Sequence, residues 1–410
     1  MNLHAVAEAV AIGTTVMAVA GMGYYFAAMT AARLWLFERR RLPGNPAGSA
    51  PGVSILKSLK GLDPGMLDAF RSHCRQSYAG EFELLFGVSS LSDPAAAAVE
   101  QLKQEFPERA IRLVECPERL GTNGKVSTLV QLAAHAWHPY LVINDSDITV
   151  SLRYLERVMA CFAPAETELG KVKAPVGLVT ALYRGRAHGT LCSLMEAMGI
   201  ATDFLPGVLI AKWMEGGLHF GLGSTLAVSR DALEKSGGLL PLVDQLADDY
   251  ELGVRVARAG YRVALSAEVV ETSVPAYRWR GLADHQLRWM RTVRDARPWG
   301  YAGLVFTHGL AWALVNVLAS GASAVSVWLL ALSFFLRLAE AMTVGAGVLG
   351  DRQVLGTLWL IPVRDVVAMG LWAAGFAGNT IVWRGERFVL KDGRLRRAAE
   401  PAVEAGSGGN

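Results

Sequence analysis

Two acidic pairs and one arginine-rich run stand out in this 410-residue chain as groups that could do chemistry. Asp145-Ser146-Asp147 directly follows the apolar run Tyr140 to Asn144. Two carboxylates one residue apart suit a hard divalent cation such as Mg2+ or Mn2+, which keeps several waters and also takes diphosphate oxygens as ligands. A departing nucleoside diphosphate gathers negative charge on its β-phosphate, and such a cation neutralises it. The same spacing serves turns and helix caps, so its place at a strand end is what favours chemistry. Asp248-Asp249-Tyr250 opens the helical pattern Leu252 to Ala259. Acidic residues there complement the helix dipole, or one of them, in a dry cleft, takes a proton from an attacking hydroxyl.

The basic run is Arg278, Arg280, Arg288, Arg291, Arg294 and Arg297, interleaved with Trp279, Trp289 and Trp299. It reads as an interfacial amphipathic helix with snorkelling arginines, and equally as a clamp in which Arg288 and Trp289 close over a diphosphate. Gly221-Leu222-Gly223-Ser224-Thr225 is either plain turn geometry or a place of close backbone approach, which makes Gly223 and Ser224 candidates for an acceptor pocket. His73 and His135 are ordinary, and no histidine pair has metal-ligand spacing.

The elements that must hold these groups read as alternating strands and helices from about Gly52 to Arg297. Val53 to Lys57, Phe82 to Val88, Ile111 to Glu115 and Tyr140 to Asn144 are strands. Asp63-Pro64 and Asp93-Pro94 each open a helix, with aspartate as N-cap and proline at the first helical position. A further helix runs from about Lys125 to Ala136. Strands separated by helices imply a mostly parallel sheet covered on both faces. Ligands of such sheets gather beyond the carboxyl ends of the strands, where Asp93 and Asp145 stand. No GxGxxG or Walker A segment follows the first strand, so those phosphate cradles are missing.

The chain as a whole is apolar, with 52% of residues hydrophobic, 19% charged and mean hydropathy +0.29, and the apolar runs gather at its two ends. Net charge is +3, which excludes nucleic acid as the main partner. Four scattered cysteines form neither a zinc site nor a disulfide framework. Ala9 to Ala32 carries no charge and is long enough to cross a bilayer. Glu8 precedes it and Arg33 and Arg39 to Arg41 follow, the reverse of a signal peptide. We read a retained anchor at 5–32, with the N-terminus outside and the domain at 50–297 in the cytoplasm. Pro298 to Leu336 would be roughly 58 Å as one helix. It must therefore lie partly along the interface or fold back near Ser320 to Ser323. Val366 to Trp383 is a last uncharged run that can extend back toward Val354, which would put Arg364 and Asp365 near or within the last helix. Residues 298–383 thus read as interfacial and transmembrane helices, and 384–410 as a basic cytoplasmic tail. Keeping that tail inside requires an even number of later crossings; two is the simplest, giving three spans in all.

In order, these segments resemble the ceramide glucosyltransferase family, a lipid-acceptor branch of the inverting glycosyltransferases. Gly52 to Pro64 looks like its "GVSxLKPLKGxD" opening, Ser92-Asp93-Pro94-Ala95 like its first aspartate, and Gly121 to Val126 like its "GxNxK" segment. Asp145 matches the second aspartate, Ala247 to Tyr250 resembles the "EDY" motif, and Arg288-Trp289 matches the end of "(Q/R)xxRW". His285 stands where that motif has Gln or Arg, with Gln286 one place later. Asp147 completes a DxD that the animal enzymes tend to lack, a feature closer to bacterial members, including a hopanoid-biosynthesis branch that transfers N-acetylglucosamine.

The resemblance implies a Rossmann-like α/β domain of the GT-A type in the inner (cytoplasmic) membrane. It implies transfer of glucose or a similar hexose from a UDP-sugar to a membrane lipid, ceramide or a hopanoid. Asp93 and Lys125 would hold the uridine part, and Asp145 with Asp147 the divalent cation and diphosphate. Arg288 and Trp289 would hold the donor, and Asp249 would be the base, with His285, Gln286, Gly223 and Ser224 as accessory or acceptor residues. A processive polysaccharide synthase would need more spans for its channel. A transporter would place its polar residues within membrane helices.

Overall fold

The computed structural model describes residues 3–42, 50–163, 174–383 and 386–397. Its main sheet has eight strands: β1 (Val53–Ser58), β2 (Phe82–Val88), β3 (Ala110–Glu115), β4 (Tyr140–Ile143), β5 (Ile148–Thr149), β6 (Val176–Ala187), β7 (Leu226–Ser229) and β8 (Arg262–Val274). Their order is β3-β2-β1-β4-β7-β6-β8-β5. β1 pairs in parallel with β2 and β4, and β2 with β3. β7 runs against both β4 and β6. The first strands are continuous apolar runs because helices cover both faces, and Ile55, Leu56, Leu85, Val142 and Ile143 are buried in the main core. The chain builds outward from β1 to β3, then returns to lay β4 on the other side of β1. That reversal leaves a crevice at the carboxyl ends of β1 and β4, the α/β arrangement expected of a GT-A-type domain.

The helix starts divide. Asp93 caps the helix Pro94–Glu105 and accepts from Ala95 N at 2.9 Å. Asp63 does not cap, contrary to expectation: Gly65, at φ 71°, precedes the helix Met66–Cys74. The Asp63 carboxylate instead accepts from Ser146 Oγ, tying the loop after β1 to the loop after β4.

Among the described residues four helices are long and apolar enough to cross a membrane: Ala5–Arg39, Leu191–Met214, Ala324–Val348 and Arg352–Gly375. Pro298–Thr307 and Gly309–Ala319 make a further pair bent by 57°. The fold-back expected near Ser320 is there, with Gly321 and Ala322 both at positive φ. The helix Leu191–Met214 was not foreseen as apolar enough to span; it lies between β6 and β7 and is the most buried of the four.

The run Val366 to Trp383 is not one helix. The helix Ile361–Gly375 ends it, and β9 (Thr380–Trp383) pairs with β10 (Glu386–Lys391), which pairs with β11 (Arg394–Arg397). The two-residue turn Asp392-Gly393, both at positive φ, suits a tight hairpin. Residues read as a tail therefore form a small sheet, and Leu395 N donates to Asp244 O at 2.7 Å. Arg384, at the start of that tail, and 398–410 lie outside the described residues.

Arg364 and Asp365 sit inside the last helix and are buried. Arg337 on the helix Ala324–Ala341 bonds Asp365 (2.8 Å), Glu340 (2.5 Å), Asp203 (2.5 Å) and the Thr202 carbonyl (2.7 Å). Arg364 lies 2.8 Å from Asp203. Removing one partner of a buried charge network leaves the others uncompensated and costs about 3–5 kcal/mol. Arg337→Met should therefore destabilise the detergent-solubilised chain by that much, read as a lower melting temperature; an unchanged melt would show that the network adds nothing.

Candidate active site

The crevice opens into a cavity of about 830 Å3, within the size range of small-molecule sites. Lys125, Asp145, Asp147, Asp249, Arg288 and Trp289 all line it, as do Gly223, Ser224 and His285. Asp93 and Gln286 do not. Asp93 uses both carboxylate oxygens on Gly61 N, at 2.9 and 3.1 Å, and so shapes the loop after β1. Gln286 is buried on the far side of its helix, where Oε1 accepts from Arg364 at 3.4 Å.

Two lysines hold the acidic turn. Lys125 follows the N-cap Asn123, whose side chain accepts from Val126 N. Its Nζ is 2.7 Å from Asp145 Oδ1 and 3.5 Å from Asp248 Oδ2. Burial alone would lower its pKa, but the carboxylates of Asp145 and Asp248 outweigh that and hold it above its ordinary value. Beneath the turn, buried Lys57 of β1 donates to the Asp145 carbonyl at 2.9 Å. Its pKa is pushed down to about 7 by burial, against the pull of Asp147 and Asp145. Lys57 was read only as part of a strand, although a lysine inside the run Val53 to Ser58 is itself the signal of a held charge.

The two carboxylates of the turn differ. Asp145 is 44% exposed in the cavity. Asp147 accepts from Thr272 Oγ1 and, at 3.0 Å, from Ser273 N at the end of β8. Burial, then the charge of Asp145, pushes Asp147 up to about 6. Among the described residues no group of three or more His, Cys, Asp or Glu is set to enclose a metal. The donor set here is two hard oxygen ligands facing a cavity, the pattern by which Mg2+ is bound through one or two carboxylates, substrate phosphates and water. A cation would also relieve the repulsion that raises Asp147.

Asp248 and Asp249 begin the helix Asp248–Arg258. Asp248 is buried and turned to Asn123 and Lys125. Asp249 lines the cavity, and burial, then the charge of Asp248, raises its carboxyl to about 6, with Lys125 opposing. Tyr250 is pinned by Arg297, whose Nε donates to its hydroxyl at 2.7 Å and whose Nη1 is 2.9 Å from Glu215. That contact spans 47 residues and has no local sequence signal.

Gly221 and Gly223 are not at positive φ, so close approach accounts for them rather than turn geometry. A Cβ on Gly223 would come 3.0 Å from Asp249 Oδ2 and 3.6 Å from Asp145 Oδ2. Gly253, one turn into the helix, lies against the backbone of Gly221 and Phe220. Asn144 fixes the same loop by donating to the Ser224 carbonyl at 2.7 Å.

A family model, glycosyl transferase family 21, matches residues 13–396. Ceramide glucosyltransferase 3 of Caenorhabditis elegans is 26% identical over 243 residues, 59% of this chain and 50% of that one. The chain thus spans half the length of that relative. Ceramide glucosyltransferase 1 of the same species is 23% identical over 365 residues, 86% of this chain and 74% of that one. A mannosyltransferase of Pyrobaculum calidifontis, solved with GDP-Man and Mn2+, is 19% identical and covers 88% of this chain and 97% of its own, at a TM-score of 0.47.

Gly253→Ala should push the loop at 220–223 off the helix that carries Asp249, since neither backbone can yield without moving the other. We expect a loss of activity of at least tenfold in a chain that still folds, read by turnover beside a thermal melt. Unaltered turnover would mean that the loop does not position Asp249.

Proposed function

Since the chain belongs to glycosyl transferase family 21, which holds the ceramide glucosyltransferases, we propose that it transfers a hexose from a UDP-sugar to a hydroxyl of a membrane lipid. The observation that carries this reading is the two-sided cavity. One end is the acidic turn held by lysines; the other is an apolar wall of Ile200, Phe204, Trp289 and Val293. Ile200 and Phe204 belong to a helix apolar enough to cross a membrane.

In this reading Asp249 takes the proton from the acceptor hydroxyl as its oxygen attacks the anomeric carbon. The bond to the diphosphate breaks from the opposite face, so configuration inverts. Lys125 and Arg288 meet the charge on the departing diphosphate, and Trp289 walls the sugar from water. A divalent cation held by Asp145 and Asp147 would supply further countercharge to the diphosphate.

The small C-terminal sheet supports a membrane arrangement for this reading. It packs on the catalytic domain through Leu246, and Lys60 and Arg119 pair with Glu386 at 3.4 and 3.6 Å. The two ends of the stretch 298–379 therefore lie on one side, which requires an even number of crossings. The bent pair 298–319 and Ala324–Val348 supply two: Asn316 donates to the Ala11 carbonyl near the outer end of the anchor, and Arg39 at its inner end donates to the Val348 carbonyl, so Arg352–Gly375 starts and ends on the domain's side. The helix Leu191–Met214 starts and ends beside the same sheet and does not cross. With Ala5–Arg39 the count is three spans, and the arginines after it place the domain in the cytoplasm.

Asp249→Asn should cut transfer about 10²–10⁴-fold while UDP affinity, read by calorimetry, stays near wild type. A base works only when unprotonated, so kcat/KM should fall tenfold per pH unit below about 6, the value to which the Asp249 carboxyl is raised. An unperturbed carboxylate would hold the limb down to about 4. Loss of UDP binding in Asp249→Asn would make the residue a donor ligand instead. Asp145→Ala and chelation by EDTA should each abolish transfer; full turnover in excess EDTA would leave Lys125 and Arg288 as the countercharge.

A further inference from the structure

Opposite the acidic turn, the cavity holds a second polar pair. His285 Nδ1 lies 3.0 Å from Glu196 Oε1. Glu196 is only 4% exposed; the 3.0 Å contact is close enough for an ion pair but not aligned as a hydrogen bond, so its Oε2 and His285 Nδ1 are both buried without a hydrogen bond to any described group. The imidazole stacks on Tyr277, with ring centroids 5.6 Å apart, and meets Trp289 at 5.5 Å, so its plane is fixed. Both residues line the cavity, and the ring keeps 21% exposure. A buried carboxylate oxygen with no donor costs stability and in a native chain asks for an explanation.

The surroundings name the ligand class. Glu196, Ile200 and Phe204 fall four residues apart and line the cavity from one apolar helix. His285, Trp289 and Val293 do the same from the helix Trp279–Ala296. Each stripe begins with a polar residue and continues apolar. That pattern fits an amphiphile whose polar head sits at Glu196 and His285 and whose tail follows the two stripes.

We propose that His285, oriented by Glu196, binds a hydroxyl of the acceptor lipid's polar head and so presents the neighbouring hydroxyl to Asp249. This rests on the lipid-acceptor reading above. Glu196 is a positioning residue, acting through the ring.

The test uses the purified full chain in detergent micelles with UDP-glucose and either ceramide or a total lipid extract of the expression host. His285→Ala and Glu196→Gln should raise the lipid KM roughly ten- to a hundredfold, the loss of one or two buried hydrogen bonds, with kcat reduced less. UDP affinity and the slow hydrolysis of UDP-glucose by water should be unchanged. His285→Gln, which keeps a donor and an acceptor, should recover most of the affinity, a rescue that a packing role would not give. Unchanged lipid KM in both variants, beside active wild type, would overturn the pair's role alone. Weakened UDP binding would overturn it in favour of a donor role. Wild type that hydrolyses UDP-glucose but glycosylates no lipid would overturn the lipid reading itself, and this one with it.

Discussion

The constraint on which the rest depends is the burial of Arg337 and Arg364 among Asp203, Glu340 and Asp365. Charges removed from water must find each other, and these come from three separate helices. They can meet only when Leu191–Met214, Ala324–Val348 and Arg352–Gly375 are packed in one register. That packing reaches the cavity. Asp203 is the neighbour of Phe204, which lines it, and Gln286, bonded to Arg364, is the neighbour of His285. Gly199 leaves room for the Arg364 guanidinium, which a Cβ would overlap. Each of the two cavity-lining helices thus shows one face to the charge network and the other to the site. The π segment Ile200–Phe204 lies where the two faces meet, and such segments are often found at functional sites. The Thr202 carbonyl joins the network there, accepting from Arg337 Nη1.

The cavity poses the opposite electrostatic problem. Asp145, Asp147, Asp248 and Asp249 are gathered around Lys57 and Lys125, so acid outnumbers base. Burial first, and then that excess, raises the carboxyls of Asp147 and Asp249, and the excess holds Lys125 above its ordinary value. An anionic donor would be repelled by such a site unless positive charge came with it or was already near. Arg288, which lines the cavity, and a cation at the acidic turn would answer that need. A raised Asp249 also suits proton transfer, because a base with a pKa closer to the working pH is the better acceptor.

Much of this was legible in the sequence where the signal is local. The strands β1 to β4 are apolar runs bounded by turn residues, and their ends came within one residue. Asp145, Lys125, Asp249, Arg288 and Trp289 were named from motifs and converge on one cavity. What escaped was set by distant contacts. Asp63 has the spacing of a cap but bonds Ser146, 83 residues on. Arg364 and Asp365 could be set near or within the last helix but not given partners, because Arg337 and Asp203 lie far off in the chain. Leu191–Met214 was hidden within an α/β pattern, since its apolar face packs on protein and periodicity alone cannot separate a core helix from a span. Asp392-Gly393 is a local hairpin signal that was passed over in favour of the charge of the residues around it.

The small sheet changes what the catalytic unit is. Val382, Trp383, Glu386 and Phe388 line the cavity, so its wall is completed by strands that follow the last apolar helix. Asp295, on the arginine-rich helix, accepts from Gly393 N, and Arg291 donates to the Thr380 carbonyl. The sheet is thereby fastened to the same helix that carries His285, Arg288 and Trp289. A domain cut at Arg297 would lose this wall and the partners of its last helix together. The apolar helices are therefore more than candidate membrane spans. They carry the chain back to the mouth of its own cavity, and the charge network between them sets where it returns.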